Sequence, residues 1–513
     1  MKKLISLALA LLMVLGILSG CSGKGSSGKK KLVWAVEWSY QKDYEKVLKE
    51  VNKELAKLMD GVELEFLFDT SFANKWDLWM AGGKQIDLAV SGWPMHLDET
   101  IISGSYIELD DLVDKYAPTI KEEMKKYNYQ YQTGSMDGKL YGVPNIQMSN
   151  GGNQAYVGFP ADYKDLFDIS AFQKLVENNP KSGEEFYQFL DGYLAKAYSR
   201  AKSSNEVTPA IDAENFYQRF VRRGYQFIGG TSSLLCYDPY DENGGVINFY
   251  ETEEFKQYIK WASKWYKDGY ISKDILTGSG NTDKFYMLDA NAWDFRATDA
   301  NEDGVVTPDE WTDTKILRVS TILDSQQIKG IVDVGEISTY LSIPRTAKYQ
   351  VEAMKLIELL RQDKAEKLLN TIIYGIEGVH YEKTGDRTVK AFEYQSQGTA
   401  GSSYGIPYWM ISSSIAENKY IVEPYDMHTY EIALKYHNEI EPNMKHDRYY
   451  GKYVSRKEVE NNLSQINAVR EEFEKQLIGG VSEDYNGLLK KVCDKLSTAG
   501  IKDVIDNYNK QLK

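Results

Sequence analysis

Cysteine is scarce in this chain, with three residues in 513, at positions 21, 236 and 493. That excludes a disulfide-built scaffold and a four-cysteine zinc site. Cys236 and Cys493 read as free thiols by default. Histidine is also rare: His96, His380, His428, His437 and His446 lie far apart, with no His-Glu-x-x-His pair for a catalytic zinc. Basic charge is in deficit. Lys plus Arg number 61 against 75 Asp plus Glu, a net charge of −14 at pH 7, which opposes nucleic-acid binding because phosphate would be repelled. Beyond the N-terminus no run of ~18 apolar residues occurs, so nothing later in the chain reads as a membrane span. No phosphate-loop or dinucleotide fingerprint is present, Gly278-Ser279-Gly280 being too short, and no organic cofactor is expected. Aromatic residues, in contrast, are plentiful, with 38 Tyr and 10 Trp. With 42% hydrophobic and 27% charged residues the chain can build large cores. At ~100–200 residues per domain its length implies two or three domains.

The N-terminus has the order of an export signal. Lys2 and Lys3 precede an apolar stretch, Leu4 to Ile17, that is too short to cross a bilayer. Leu18-Ser19-Gly20-Cys21 resembles the bacterial lipobox. The expectation is therefore a signal peptide over 1–20, acylation of Cys21 (a palmitate-type anchor) and display on the extracellular face of the cell membrane. Residues 21–30, rich in Gly, Ser and Lys, read as a flexible tether.

The body opens with a β-rich run from Leu32 to Trp38. A helical stripe follows (Tyr44, Leu48, Val51, Leu55, Leu58), then an alternating strand (Val62, Leu64, Phe66, Phe68), a second helical stretch, and a short buried strand, Ile86 to Val90. Strand–helix–strand order implies a parallel sheet with ligands beyond the carboxyl ends of its strands. That selects the loops Glu37–Tyr40, Asp69–Trp76 and Ser91–Trp93. Residues 150 to 325 are more helical and richer in Tyr. A strand over 337–343 and a helix from Val351 to Leu360 return to the first pattern. The end is helical, with stripes at Val459–Leu477, stopped by Gly479-Gly480, and Leu489–Leu496, stopped by Gly500. No internal repeat is found.

Several stretches, in this order, resemble the bacterial extracellular solute-binding proteins of family 1, the carbohydrate-binding lipoproteins of ABC importers. They are Lys84 to Trp93, Gly104 to Leu112, Lys115 to Pro118, Tyr141 to Pro144 and Trp265 to Ile271. Tyr374-Gly375-Ile376-Glu377-Gly378-Val379-His380-Tyr381 and residues 450–513 resemble one Gram-positive subgroup. The resemblance implies an α/β, two-lobe periplasmic-binding-protein-like fold (type II), with the ligand cleft between lobes and extra C-terminal helices. Lobe 1 is expected over 31–145 and 330–378, lobe 2 over 146–329 and 379–440, and the C-terminal helical region over 441–513. It also implies a monomer with no catalysis of its own, whose partners are an oligosaccharide or other small solute, ABC permease subunits, and the membrane through the lipid anchor.

A sugar cleft needs flat aromatic faces for the C–H faces of the rings and carboxylates or amides for hydroxyls. The candidates are Trp38, Trp93, Trp293 and Trp409, with Glu37, Asp69 and Glu377 as carboxylates. Tyr374, in the same segment as Glu377, completes the set. Trp34 and Trp261 read as core residues. A separate motif stands out: Asp299 to Glu310 fits D-x-[DN]-x-[DN]-G-x5-E. Asp299, Asn301, Asp303, the Val305 carbonyl, Thr307 and Glu310 would ligate Ca2+, with Gly304 making the turn. The following strand-like run, Ile316 to Ile322, argues for a structural calcium rather than a switch. Two other functions stay open: a secreted carbohydrate-active enzyme such as a glycosidase, which needs two carboxylates across the scissile bond, and a surface sugar sensor or adhesin.

Overall fold

The computed structural model describes residues 28–93, 95, 97–146, 156–176, 181–203, 211–229, 233–277, 305–306, 316–320, 332–333, 339–392, 403–422, 430, 434, 438, 445–449 and 452–513. The signal peptide, Cys21 and the tether as far as residue 27 lie outside them. No helix among the described residues is long and apolar enough to cross a membrane.

The chain enters its first sheet at β1 (Lys30–Val36), two residues earlier than the run from Leu32 suggests. α1 (Tyr44–Leu58), β2 (Val62–Phe68), α2 (Phe72–Ala81), β3 (Leu88–Gly92) and α3 (Leu97–Ile102) follow. β4 (Gly142–Pro144) and β5 (Thr339–Ser342) complete a five-stranded sheet in the order β2-β1-β3-β5-β4. β1 pairs parallel with β2, Lys30 facing Val62, and with β3, Trp34 facing Leu88. β5 runs antiparallel to both β3 and β4. The three strands read from the strand–helix–strand order are parallel as expected, while β5, which arrives by a long excursion instead of a helix crossover, makes the whole sheet mixed.

Alternation along the strands gives each face its own layer. Leu32, Trp34, Val36, Leu88, Val90 and Leu341 pack with α1 and the helices Gln350–Leu359 and Glu366–Tyr374. Ala35, Ala89 and Tyr340 face Phe72, Trp76 and Met80 of α2 and Leu97 and Ile101 of α3. Asp87 is fully buried just before β3. Its carboxylate accepts from the amides of Val33 (3.0 Å), Lys348 (2.8 Å) and Tyr349 (2.9 Å), tying β1 to the chain entering the next helix. Buried backbone donors need such partners.

A second, separate core gathers the helices Glu184–Ser203 and Glu253–Asp268, the strand Tyr156–Pro160 and the C-terminal helices Glu460–Ile478, Tyr485–Thr498 and Ile501–Gln511. Much of the aromatic content is spent here. Phe159 stacks on Phe167 at 4.3 Å and Tyr250 on Phe255 at 4.4 Å. Trp261 is buried in its helix and Trp34 in its strand, as the sequence suggests. The C-terminal region is built into this lobe, since Val492, Leu496 and Val504 are fully buried in the same core. Cys236 and Cys493 are free thiols. Burial pushes both up, Cys493 to about 11.

One boundary moves. Residues 379–440 are expected in lobe 2, but the described part of that segment packs into the first core through Tyr381, Val389, Tyr404, Ile406, Met410 and Val422. Asn370 fixes it there, donating to the Asn418 carbonyl (2.8 Å) and accepting from the Tyr420 amide (2.6 Å). Such long-range polar pinning has no periodic signal. The chain leaves the first lobe at Asn145 and returns at Thr339, and these two residues are joined backbone to backbone at 3.0 Å. Across the lobes, Arg456 pairs with Glu99 of α3 and the Tyr453 hydroxyl donates to the Thr133 carbonyl.

Candidate functional site

The carboxyl ends of β1, β2 and β3 lie side by side on one edge of the first sheet. Glu37 follows β1, Asp69 follows β2 and Trp93 follows β3, so three candidates separated widely in sequence share that edge. Thr339 of β5 faces Gly92, and its hydroxyl donates to the carbonyl of Trp409. That contact brings the loop around Trp409 to the same place. The indoles of Trp93 and Trp409 meet edge to face, 5.3 Å apart at 90°. Trp93 is 54% exposed and Trp409 half-buried. An exposed large aromatic held in fixed orientation by a second one is a rigid apolar platform.

Glu37 is half-buried, and its Oε2 is buried without a hydrogen-bond partner among the described residues. Burial pushes its carboxyl up, the Ala73 amide at the start of α2 opposes this, and the charge of Asp69 adds to the rise. Asp69 differs. Burial raises it too, but Lys75 (2.6 Å) and the Ser71 amide (2.8 Å) outweigh that and hold it below its ordinary value. One acid is therefore already compensated, while the other, on the same sheet edge, retains a buried acceptor without a partner among the described residues.

The other candidates are placed differently. Trp38 is half-buried against the first core, and its Nε1 donates to the Gly405 carbonyl at 2.9 Å. It braces the loop that carries Trp409. Tyr374, a ligand candidate in the sequence reading, is a core residue: it is 4% exposed, with its hydroxyl on the Tyr420 carbonyl at 2.9 Å. Glu377 is exposed in the turn after the helix Glu366–Tyr374. Trp76, within one of the selected loops, is buried in α2 at 1% exposure. Trp293, Asp299, Asn301, Asp303, Thr307 and Glu310 lie outside the described residues. Val305 and Val306 form a two-residue strand antiparallel to Ile316–Ser320. Among the described residues no group of three or more His, Cys, Asp or Glu could hold a metal.

Sequence reasoning did not single out Tyr40, which is 64% exposed on the same edge, its hydroxyl 3.1 Å from Glu45. An exposed aromatic two residues after Trp38 in a strand-end loop was the available signal.

A sheet edge topped by aromatic and carboxylate side chains, with a second lobe joined through paired crossing segments, defines the two-lobe α/β (type II) solute-binding fold. The solved structure of an N-glycan transport solute binding protein (NgtS) from Streptococcus pneumoniae has this fold, with a TM-score of 0.68, 18% identity, and coverage of 94% of this chain and 98% of that one. Over 334 residues, 63% of the chain, there is 23% identity to a carbohydrate ABC transporter substrate-binding protein of Streptococcus pneumoniae. Over 306 residues, 57% of the chain, there is 24% identity to the polygalacturonan/rhamnogalacturonan-binding protein YtcQ of Bacillus subtilis. The chain spans 59% and 55% of the lengths of these two curated relatives. Residues 451–513 match a family described as a domain of unknown function (DUF3502). Fold and sequence similarity together support the resemblance to the extracellular solute-binding proteins of family 1.

Proposed function

We propose that this chain captures an oligosaccharide outside the cell and delivers it, unaltered, to the permease of an ABC importer. The observation that carries the reading is the Trp93–Trp409 pair on the carboxyl edge of the first sheet, the edge that also carries Glu37. Stacking on sugar C–H faces and accepting a hydroxyl are the two demands a neutral sugar makes. The relatives' names, carbohydrate, N-glycan and polygalacturonan/rhamnogalacturonan among them, support the same ligand class. In this reading the protein works as a monomer, anchored by acylated Cys21 on the tether 22–30. Its loop 299–310 holds a structural Ca2+, a choice supported by the ligand spacing and by the extended backbone at Val305–Val306.

Thermal-shift screening against mannose-containing N-glycan fragments, oligogalacturonides and other oligosaccharides tests the capture. At a sugar concentration ~100-fold above Kd the folded state gains about 2.7 kcal/mol, an easily read rise in melting temperature. A panel without any shift argues for a solute of another class. Cys21→Ala should move the protein from the membrane fraction to the medium or leave it unprocessed, and mature-sized protein retained on the membrane would rule out that anchor.

A further inference from the structure

The loop carrying Trp409 has little regular structure, yet its indole must meet Trp93 in one orientation. Its backbone is held from the β1–α1 loop. Gln41, 4% exposed, spans the Gly405 peptide with both ends of its amide. Nε2 donates to the Gly405 carbonyl at 2.6 Å, and Oε1 accepts from the Gly405 amide at 2.5 Å. The side chain thereby replaces a neighbouring strand for one residue. Asp43 adds a backbone bond to Ser403 (2.8 Å) and pairs with Nε2 of His380 (3.2 Å). Trp38 shares the Gly405 carbonyl. From this clamp the chain runs four residues to Trp409, whose own carbonyl is taken by Thr339.

We infer that Gln41 is a positioning residue for the sugar platform. Its side-chain hydrogen bonds run to Gly405 and not to either indole. By filling both hydrogen-bonding groups of the Gly405 peptide it fixes the loop from which Trp409 meets Trp93. Without Gln41 the Gly405 carbonyl would keep only Trp38 Nε1, and the buried Gly405 amide would lose its acceptor and seek another, carrying the loop with it. This inference rests on the platform being the binding surface, but the clamp itself can be tested without sugar.

Two indoles at 5.3 Å and 90° couple their transitions and give an exciton couplet in the circular dichroism spectrum, assignable by its loss in Trp409→Phe. Gln41→Ala is expected to lower the couplet at least twofold in the sugar-free protein. Gln41→Glu is the deciding variant, since it keeps the shape. As a carboxylate it cannot donate to the Gly405 carbonyl, so the couplet should be weak at neutral pH. When protonated it regains one donor and one acceptor, and the couplet should recover on acidification, with the unsubstituted protein measured over the same range as reference. A full couplet in Gln41→Glu at neutral pH, with only the melting temperature reduced, would overturn the inference. If the couplet follows the prediction but no oligosaccharide binds the unsubstituted protein, the sugar reading fails and the positioning role stands.

Discussion

The Glu37 carboxyl loses water to burial and receives the Ala73 amide in partial return, with Asp69 close by. Its pKa in the folded protein lies above the unfolded value. Between the two the folded state binds more protons, so stability falls as pH rises through the window that starts near the ordinary 4.5 and extends upward. Glu37→Gln removes that ionisation while keeping an oxygen for the Ala73 amide. Calorimetry should show a higher melting temperature at pH 7 than the unsubstituted protein and a flatter pH dependence. Sugar affinity should fall, because a neutral amide is a weaker acceptor than a carboxylate. A lower melting temperature would mean that the buried carboxylate is compensated by contacts other than these. Trp93, being more than half exposed, should behave in the complementary way. Trp93→Ala is expected to weaken oligosaccharide binding by roughly 1–3 kcal/mol with little change in melting temperature. Unchanged affinity by titration calorimetry would remove it from the site. These two residues were legible because each ends a strand whose pattern is plain. Tyr374 was misread, since it stands in a segment singled out by resemblance, where nothing local shows which side chain turns inward. Gln41 left no trace at all: a glutamine in a loop gives no hint of a peptide more than 300 residues away.

Among elements, the amphipathic ones were readable and the junctions were not. α1 and β2 have their expected extents because the stripe and the alternation are unbroken. The C-terminal stripes at 459–477 and 489–496 became helices with Phe473, Leu477, Val492 and Leu496 inward. The third helix, Ile501–Gln511, was missed because Gly500 read only as a stop. With φ +82° it ends one helix and turns straight into the next. Gly480 has a second role besides termination. A β-carbon there would lie 2.1 Å from the Ala262 carbonyl carbon and oxygen. The end of the helix Glu460–Ile478 therefore lies directly against the backbone of Glu253–Asp268. Gly480→Ala must push the two apart, at a cost of about 1–3 kcal/mol. Chemical denaturation should show it as a lower midpoint; an unchanged midpoint would mean that the contact yields freely. The antiparallel course of β5 was also hidden, because a strand's direction in a sheet is set by the route of its connection and not by its own residues.

At the scale of the whole molecule, two or three domains were foreseeable from length, and the two-lobe arrangement from the family resemblance, which the return of a strand–helix pattern after residue 337 accompanies. The assignment of 379–392 and 403–422 to the first lobe was not, since it depends on Asn370 and on aromatic packing that any core could supply. The proposed calcium loop would act at this scale through mass action. Bound Ca2+ would stabilise only the folded protein, by RT ln(1 + [Ca2+]/Kd). Chelation should thus lower the melting temperature while sugar affinity stays nearly constant, and Glu310→Gln should reproduce the loss without chelator. Metal analysis finding no calcium on protein purified in its presence would reduce Asp299–Glu310 to an acidic turn. The most direct test of the account is titration calorimetry of the folded body with the best oligosaccharide from the panel, followed by chromatography of the sugar. One site per chain, heat lost in Trp93→Ala, and sugar recovered intact is the predicted result. Progressive cleavage of the sugar, or binding indifferent to Trp93, would contradict it.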